Sequence, residues 1–226
     1  MMRYQILGQS NHAVAILLDL LEQIHRCPIA VDIVSNIPPE KNDSLVYGYE
    51  TQGVETREIR HEDWQRDPEA HLLIGSIGRS RERIFQFFQE RFGVEAESYA
   101  NAIHPRACMP FEMALGHGVH LGPGATIAPH AEIGDFVVVN RNASVGHHTV
   151  LEDFVTLNPG SHVAGICRLE RGVTIGAGAT IVDGVTVGRN SVIGAGSVVT
   201  RDISPDVVAY GVPARVVREK KNPWTS

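Results

Sequence analysis

From Val119 onward, hydrophobic and polar positions recur with a period of six. The chain divides into the blocks VHLGPG, ATIAPH, AEIGDF, VVVNRN, ASVGHH, TVLEDF, VTLNPG, SHVAGI, CRLERG, VTIGAG, ATIVDG, VTVGRN, SVIGAG and SVVTRD. The third place is always aliphatic: Leu121, Ile127, Ile133, Val139, Val145, Leu151, Leu157, Val163, Leu169, Ile175, Ile181, Val187, Ile193 and Val199. The first place is small or β-branched, and the frame runs upstream through Leu115, Met109 and Ile103 with weaker flanks. An ordinary strand also puts places one and three on one face, but strands rarely exceed about ten residues without a turn. Turns must therefore recur in every block, and the Gly and Asn residues at the sixth place supply the φ > 0 corners. The pattern predicts a parallel β-helix, with short strands stacked coil on coil around a continuous aliphatic core.

Residues 1 to about 100 have another texture. YQIL reads as a strand, AVAILLDLLEQIH as an amphipathic helix and IAVDIV as a second strand. After a polar stretch, HLLIGSIG reads as a buried strand with a glycine exit, and RSRERIFQFFQERF as a helix that stops at Gly93. This is a small, Rossmann-like α/β domain with a parallel sheet. The expected organisation is 1–100 for this domain, 101–203 for the β-helix and 204–226 for a short C-terminal segment.

The first strand–helix loop carries Gly8, Ser10, Asn11 and His12. Such a loop lies at the carboxyl edge of the sheet, where N–H groups of a helix N-terminus favour a phosphate. The GxGxxG fingerprint is missing, which argues against a nicotinamide enzyme. A structural turn with Ser10 or Asn11 as helix cap is the other reading.

Composition narrows the classes. The chain is 43% hydrophobic and 20% charged with a net charge of -6, ordinary for a folded domain and without the basic field of a nucleic-acid or membrane-surface binder. Cys27, Cys108 and Cys167 form neither a disulfide framework nor a CxxC knuckle and read as buried fillers. No stretch reaches the roughly 18 apolar residues of a membrane span, and no apolar run opens the chain, so a cytoplasmic location is expected.

The order of parts is an α/β domain, then IHP at 103–105, then the hexapeptide blocks, then GVPAR at 211–215. Together with VVVNRNASVGHHTVLEDFVTLNPGSHVAG, it resembles the family of sialic acid O-acetyltransferases and nucleotide-aminosugar N-acetyltransferases across nearly the full length. The resemblance implies left-handed coils of 18 residues, a homotrimer and acetyl-CoA as co-substrate without a metal. It implies acetylation of an amino group on a nucleotide-linked sugar, of the 4-amino-4,6-dideoxy kind, in polysaccharide biosynthesis. It puts the catalytic base at His147 with His148 beside it. Sugar-nucleotide contacts fall at Ser10, Asn11, His12, Gly75 and Asn140, and CoA-contacting backbone at Gly165, Ala177 and Ala195.

The chemistry suits these parts. An amine attacking a thioester must lose a proton, and imidazole, with an ordinary pKa of about 6.5, is suited to take it. With 18-residue coils, Gly165 lies one coil from His147 at about 4.8 Å, so its N–H is expected near the thioester carbonyl, where a donor steadies a developing oxyanion.

Several residues depart from the family. His148 stands where the family has an acid, and under the 18-residue coil it stacks over His130. Thr156 replaces a His, Asn11 a Gly, and Ser35 and Asn36 an acidic pair. Arg215, Arg218, Lys220 and Lys221 read either as partners of CoA phosphates or as a solvated helix face. Alternative functions are sugar O-acetylation, a non-catalytic sugar-nucleotide binder, and a zinc lyase of the γ-carbonic-anhydrase kind. The last needs three convergent histidines, and the spacings of His117, His120, His130, His147, His148 and His162 do not match that need.

Overall fold

The computed structural model describes residues 1–25, 27–36, 53–76, 78 and 80–219. Two compact units divide at Pro105 and Arg106. The first extends beyond residue 100 because Tyr99 bridges Leu72 and Ala102 joins its hydrophobic core.

In the first unit, β1 (Met2–Leu7), β2 (Ile29–Ser35), β3 (Val54–Arg60) and β4 (His71–Ile74) form a wholly parallel sheet in the order β3-β2-β1-β4. Helix α1 (Asn11–His25) buries Val14, Leu17, Leu18 and Leu21, at helical spacing, against Ile6, Ile29, Val31 and Ile33 of the sheet. Helix α2 (Ser80–Phe92) ends where predicted. Gly93, at φ 64, returns its N–H to Gln89 O, and Val94 returns its own to Phe88 O. Trp64 packs edge-on against Phe88 and Phe92, at centroid distances of 5.4 and 5.1 Å. Strand β3 was not anticipated. Only Val54 of VETREIR is buried, so this edge strand carries no alternating apolar signal, and it is tied to β2 by the Arg57–Asp32 ion pair at 2.8 Å.

The second unit is a parallel β-helix. Val138 pairs with His120 on one side and Thr156 on the other, and Thr156 with Thr174, so one coil is 18 residues. The first face stacks strands at His120, Val138, Thr156, Thr174 and Val192; the second at Thr126, Ser144, His162, Thr180 and Val198; the third at Ala114, Glu132, Val150, Arg168 and Thr186. All fourteen third-place aliphatics are at most 3% exposed. At about 1.5–3 kcal/mol for each large side chain buried, this column is the main source of stability. First-place hydroxyls in the same core are satisfied: Thr149 donates to Ala164 O and Ser161 to Asn158 O, both at 2.8 Å.

All thirteen sixth places from Gly124 to Gly196 turn through positive φ. Glycine and asparagine hold many of them as expected, but His130, Phe136, His148, Phe154 and Ile166 adopt the same region, with φ between 56° and 61°. A non-glycine L-residue there costs about 1–2 kcal/mol, so the coil geometry overrides local preference.

The corner from third to first face is closed by side chains. Asp153 accepts the N–H of Asp135 at 2.9 Å and pairs with Arg171 at 2.7 Å, while Asp135 accepts the N–H of His117 at 2.7 Å. Phe136 and Phe154 stack at 4.9 Å, and the Arg171 guanidinium lies 4.7 Å over Phe154.

Two expectations are corrected here. The GVPAR segment is not on a helix: Val207–Gly211 and Ala214–Glu219 are antiparallel strands continuing the first face, with Arg215 and Arg218 on the outer one. Lys220 and Lys221 lie outside the described residues. Of the cysteines only Cys167 is buried; Cys27 sits exposed after α1 and Cys108 exposed on the opening turn of the β-helix. Among the described residues no helix is long and apolar enough to cross a membrane.

Candidate functional site

The corner between the second and third faces gathers the imidazoles. His147 is in the fifth place and His148 in the sixth, both exposed, after the strand Ser144–Val145. The Nδ1 atoms of the two rings are 3.1 Å apart, so one ring donates and the other accepts. The His148 ring lies 4.7 Å from that of His130, one coil back, which is the stack that the 18-residue period predicts.

Gly165, one coil onward, is buried beneath the His147 ring. A Cβ there would stand 2.7 Å from Cε1 and 2.8 Å from Nε2, so only glycine leaves room for the imidazole in this pose. The ring edge bearing Nε2 therefore lies over Gly165 while Nδ1 turns to His148. The expected role of the Gly165 N–H as an oxyanion donor is corrected: it donates to Asp183 Oδ1 at 2.9 Å. Asp183 sits a further 18 residues along the same column, so the coil period carried that signal. Below the histidines, buried Thr149 accepts the N–H of Cys167 at 3.1 Å while its hydroxyl holds Ala164 O, which ties this corner to the next coil. Burial pushes the Cys167 thiol above its ordinary pKa, the opposite of what a nucleophile needs.

Asn140, Ala177 and Ala195 lie on the corner between first and second faces. In one chain they share an edge with each other and not with His147. Asn140 is half-buried, and its Oδ1 accepts the N–H of Arg141 at 2.8 Å. Ala177 and Ala195 are exposed and stacked one coil apart, and the Ala177 carbonyl accepts the Gly196 N–H at 2.8 Å. Thr156 lies in the second place on the first face and is buried.

In the α/β unit, Gly8, Ser10 and Gly75 meet at the carboxyl edge where the strand order reverses. The Ser10 N–H donates to Gly75 O at 2.8 Å and the Ser10 carbonyl accepts the first α1 bond from Val14 at 2.9 Å, so Ser10 occupies the N-cap position. A Cβ on Gly75 would stand 2.2 Å from Gly8 O, which requires glycine for the close approach of the two strand exits. Asn11 opens α1, and His12 is exposed on its first turn. At the end of β2, Asn36 Oδ1 is buried without a hydrogen-bond partner among the described residues. Among the described residues no group of three or more His, Cys, Asp or Glu side chains is arranged to hold a metal ion.

Residues 166–201 match the bacterial transferase hexapeptide family (six repeats). No curated protein sequence matches the chain. Three solved structures share the fold over nearly all of both chains. The acetyltransferase domain of PglB from Neisseria gonorrhoeae, in complex with acetyl coenzyme A, is 21% identical and has a TM-score of 0.76, with 95% of this chain and 98% of that one covered. A variant of GDP-perosamine N-acetyltransferase from Caulobacter crescentus, in complex with CoA and GDP-perosamine, is 23% identical with a TM-score of 0.73, covering 97% and 98%. WeeI from Acinetobacter baumannii is 20% identical with a TM-score of 0.77, covering 96% and 100%. Residues 166–201 thus carry the hexapeptide repeat of that family, and the chain shares the left-handed parallel β-helix fold of those structures. An α/β unit precedes its coils, matching the PglB and GDP-perosamine N-acetyltransferase structures.

Proposed function

We propose that the protein is an acetyltransferase that moves the acetyl group of acetyl-CoA to the amino group of a nucleotide-linked amino sugar, with His147 as general base. The observation that carries this reading is the seat of His147: Nδ1 is held by His148 at 3.1 Å while the Nε2 edge is poised over side-chain-free Gly165. For Nε2 to accept a proton, Nδ1 must carry the hydrogen and donate it to His148 Nδ1, which leaves the proton of His148 on its own Nε2. A neutral imidazole thus does the orienting work of the acid that the family places there. As the amine nitrogen bonds to the thioester carbon, its proton passes to His147 Nε2. The C–S bond then breaks, and the departing CoA thiolate is free to take the proton from the imidazolium. No covalent enzyme intermediate is required.

The partners follow from similarity. The PglB and GDP-perosamine N-acetyltransferase structures contain acetyl-CoA, or CoA with GDP-perosamine, and their fold spans this chain. The sugar nucleotide belongs on the α/β unit, where the Ser10 turn and the unpartnered Asn36 acceptor offer a helix N-terminus and a site for a ribose or base donor. Asn140, Ala177 and Ala195 are assigned to substrate and CoA contacts, within a cytoplasmic homotrimer. A sedimentation mass of one chain would contradict that assembly.

The test is acetyl-CoA turnover with a panel of 4-amino sugar nucleotides, comparing wild type with His147→Ala. Turnover confined to wild type is expected. If both bind sugar nucleotide and neither turns over, the protein is a binder and the catalytic reading fails.

A further inference from the structure

Three bulky residues occupy left-handed corners of the coil: Phe136 at φ 56, Phe154 at φ 59 and Ile166 at φ 59. For the two phenylalanines, packing offsets the strain. They are 2% and 6% exposed, stack at 4.9 Å, and are capped by Arg171. Ile166 has no such compensation. It is 64% exposed, and its branched Cβ makes positive φ more costly than for an unbranched residue. Six of the thirteen corners use glycine, which turns there without strain. A strained aliphatic side chain kept in solvent where glycine serves elsewhere points to a contact made outside the folded chain itself.

Its place says what that contact is. Ile166 follows Gly165, the residue over which the Nε2 edge of His147 lies, and the Ile166 N–H donates to the His147 carbonyl at 2.9 Å. It also succeeds His130 and His148 in the sixth-place column, one coil beyond the histidine pair. Its backbone is thereby fastened to that of His147, next in the chain to the glycine over which Nε2 lies. Of the parts that must meet there, the nucleotides are polar and a 6-deoxy sugar brings one methyl, whereas the acyl group with its sulfur is the apolar part bonded directly to the reacting carbon in every turnover.

We propose that Ile166 is the wall against which the acyl group of the thioester donor rests, and that it limits the acyl-chain length the protein accepts. The inference rests on the acyl-transfer reading above and names a residue that selects within it. Strain at this corner lowers the stability of the free chain and is offset only in the donor complex, the usual exchange between stability and function at a site.

Calorimetric titration with acetyl-, propionyl- and butyryl-CoA tests this without a known acceptor, on wild type, Ile166→Gly, Ile166→Asn and Ile166→Leu. Gly and Asn tolerate the corner, so both variants should melt about 2–4 °C higher than wild type. Both should bind acetyl-CoA about 3- to 10-fold more weakly and lose most of a preference for acetyl over butyryl of about tenfold. Leu keeps an apolar wall and should keep the preference. Stabilised variants with the wild-type chain-length preference would overturn the proposal. So would a change of sedimentation mass with that preference intact, which would make Ile166 a contact with a second copy of the chain. Wild type that binds no acyl-CoA would instead sink the acyl-transfer reading, and this inference with it.

Discussion

Two corners of the β-helix share one backbone geometry and carry opposite chemistry. The corner from third to first face is closed: Asp135 and Asp153 accept backbone N–H groups, Arg171 pairs with Asp153, and Phe136 stacks on Phe154. The corner from second to third face is open. There the same places hold exposed His147 and His148, a glycine that makes room for the His147 ring and gives its N–H to Asp183, and exposed Ile166. Both corners carry strained sixth-place residues and a fifth-place aspartate that accepts a backbone N–H, Asp183 at the open one and Asp135 and Asp153 at the closed one; they differ in whether the sixth-place side chains are sheltered or face solvent.

Substitutions at the two corners should separate along these lines. His147→Ala should lower turnover about 10²- to 10⁴-fold, with a melting midpoint close to wild type, because the ring is exposed and contributes little to packing. In Gly165→Ala the new methyl would stand within 2.8 Å of the imidazole. The ring is the mobile partner and should swing aside, lowering kcat about 10²-fold with little loss of stability. Equal activity with an unchanged His147 ring resonance would remove Gly165 from the site.

The closed corner should behave in the reverse sense. Asp153→Ala removes the acceptor of the Asp135 N–H and the ion pair with Arg171. A loss of about 1–2 kcal/mol in chemical denaturation is expected, with kcat unchanged. A drop in kcat without a loss of stability would erase the distinction between the corners.

The histidine pair allows a finer test. If His148 orients His147 by accepting from its Nδ1, His148→Ala should lower kcat about tenfold with KM little changed, and His148→Glu should restore it. Full activity in His148→Ala would mean that His148 does not position the base.

The smallest effect lies in the α/β unit. Burial, then the neighbouring His71, holds His25 below its ordinary value of 6.5, and Tyr4 bonds its ring at 2.6 Å. The folded state thus favours the neutral ring. Its contribution is whole above 6.5 and is lost as pH falls through the lower folded value. His25→Gln should flatten the fall in melting midpoint on acidification while leaving the neutral-pH midpoint nearly unchanged.

How much could be read beforehand follows the same division. Each third-place aliphatic from Leu121 to Val199 was assigned to the core from sequence and is buried, because the period of six states the geometry directly. The His130–His148 stack followed from adding 18, and the bond from Gly165 to Asp183 could have been found in the same way. Strand β3 left no trace, since an edge strand with one buried side chain has no need of alternation. The GVPAR strands were obscured by a basic, exposed surface that looks alike on a helix or a strand.

The order of residues alone determined the coil, its core and the column in which His147, Gly165 and Asp183 fall, because a repeated backbone converts sequence spacing into spatial neighbourhood. It did not determine which N–H groups stay free, which edge of His147 faces outward, or that Ile166 stands exposed where Phe136 and Phe154 are sheltered. Those outcomes depend on competition for a few donors and on ring packing between residues a coil apart, and only the assembled tertiary structure decides such competition.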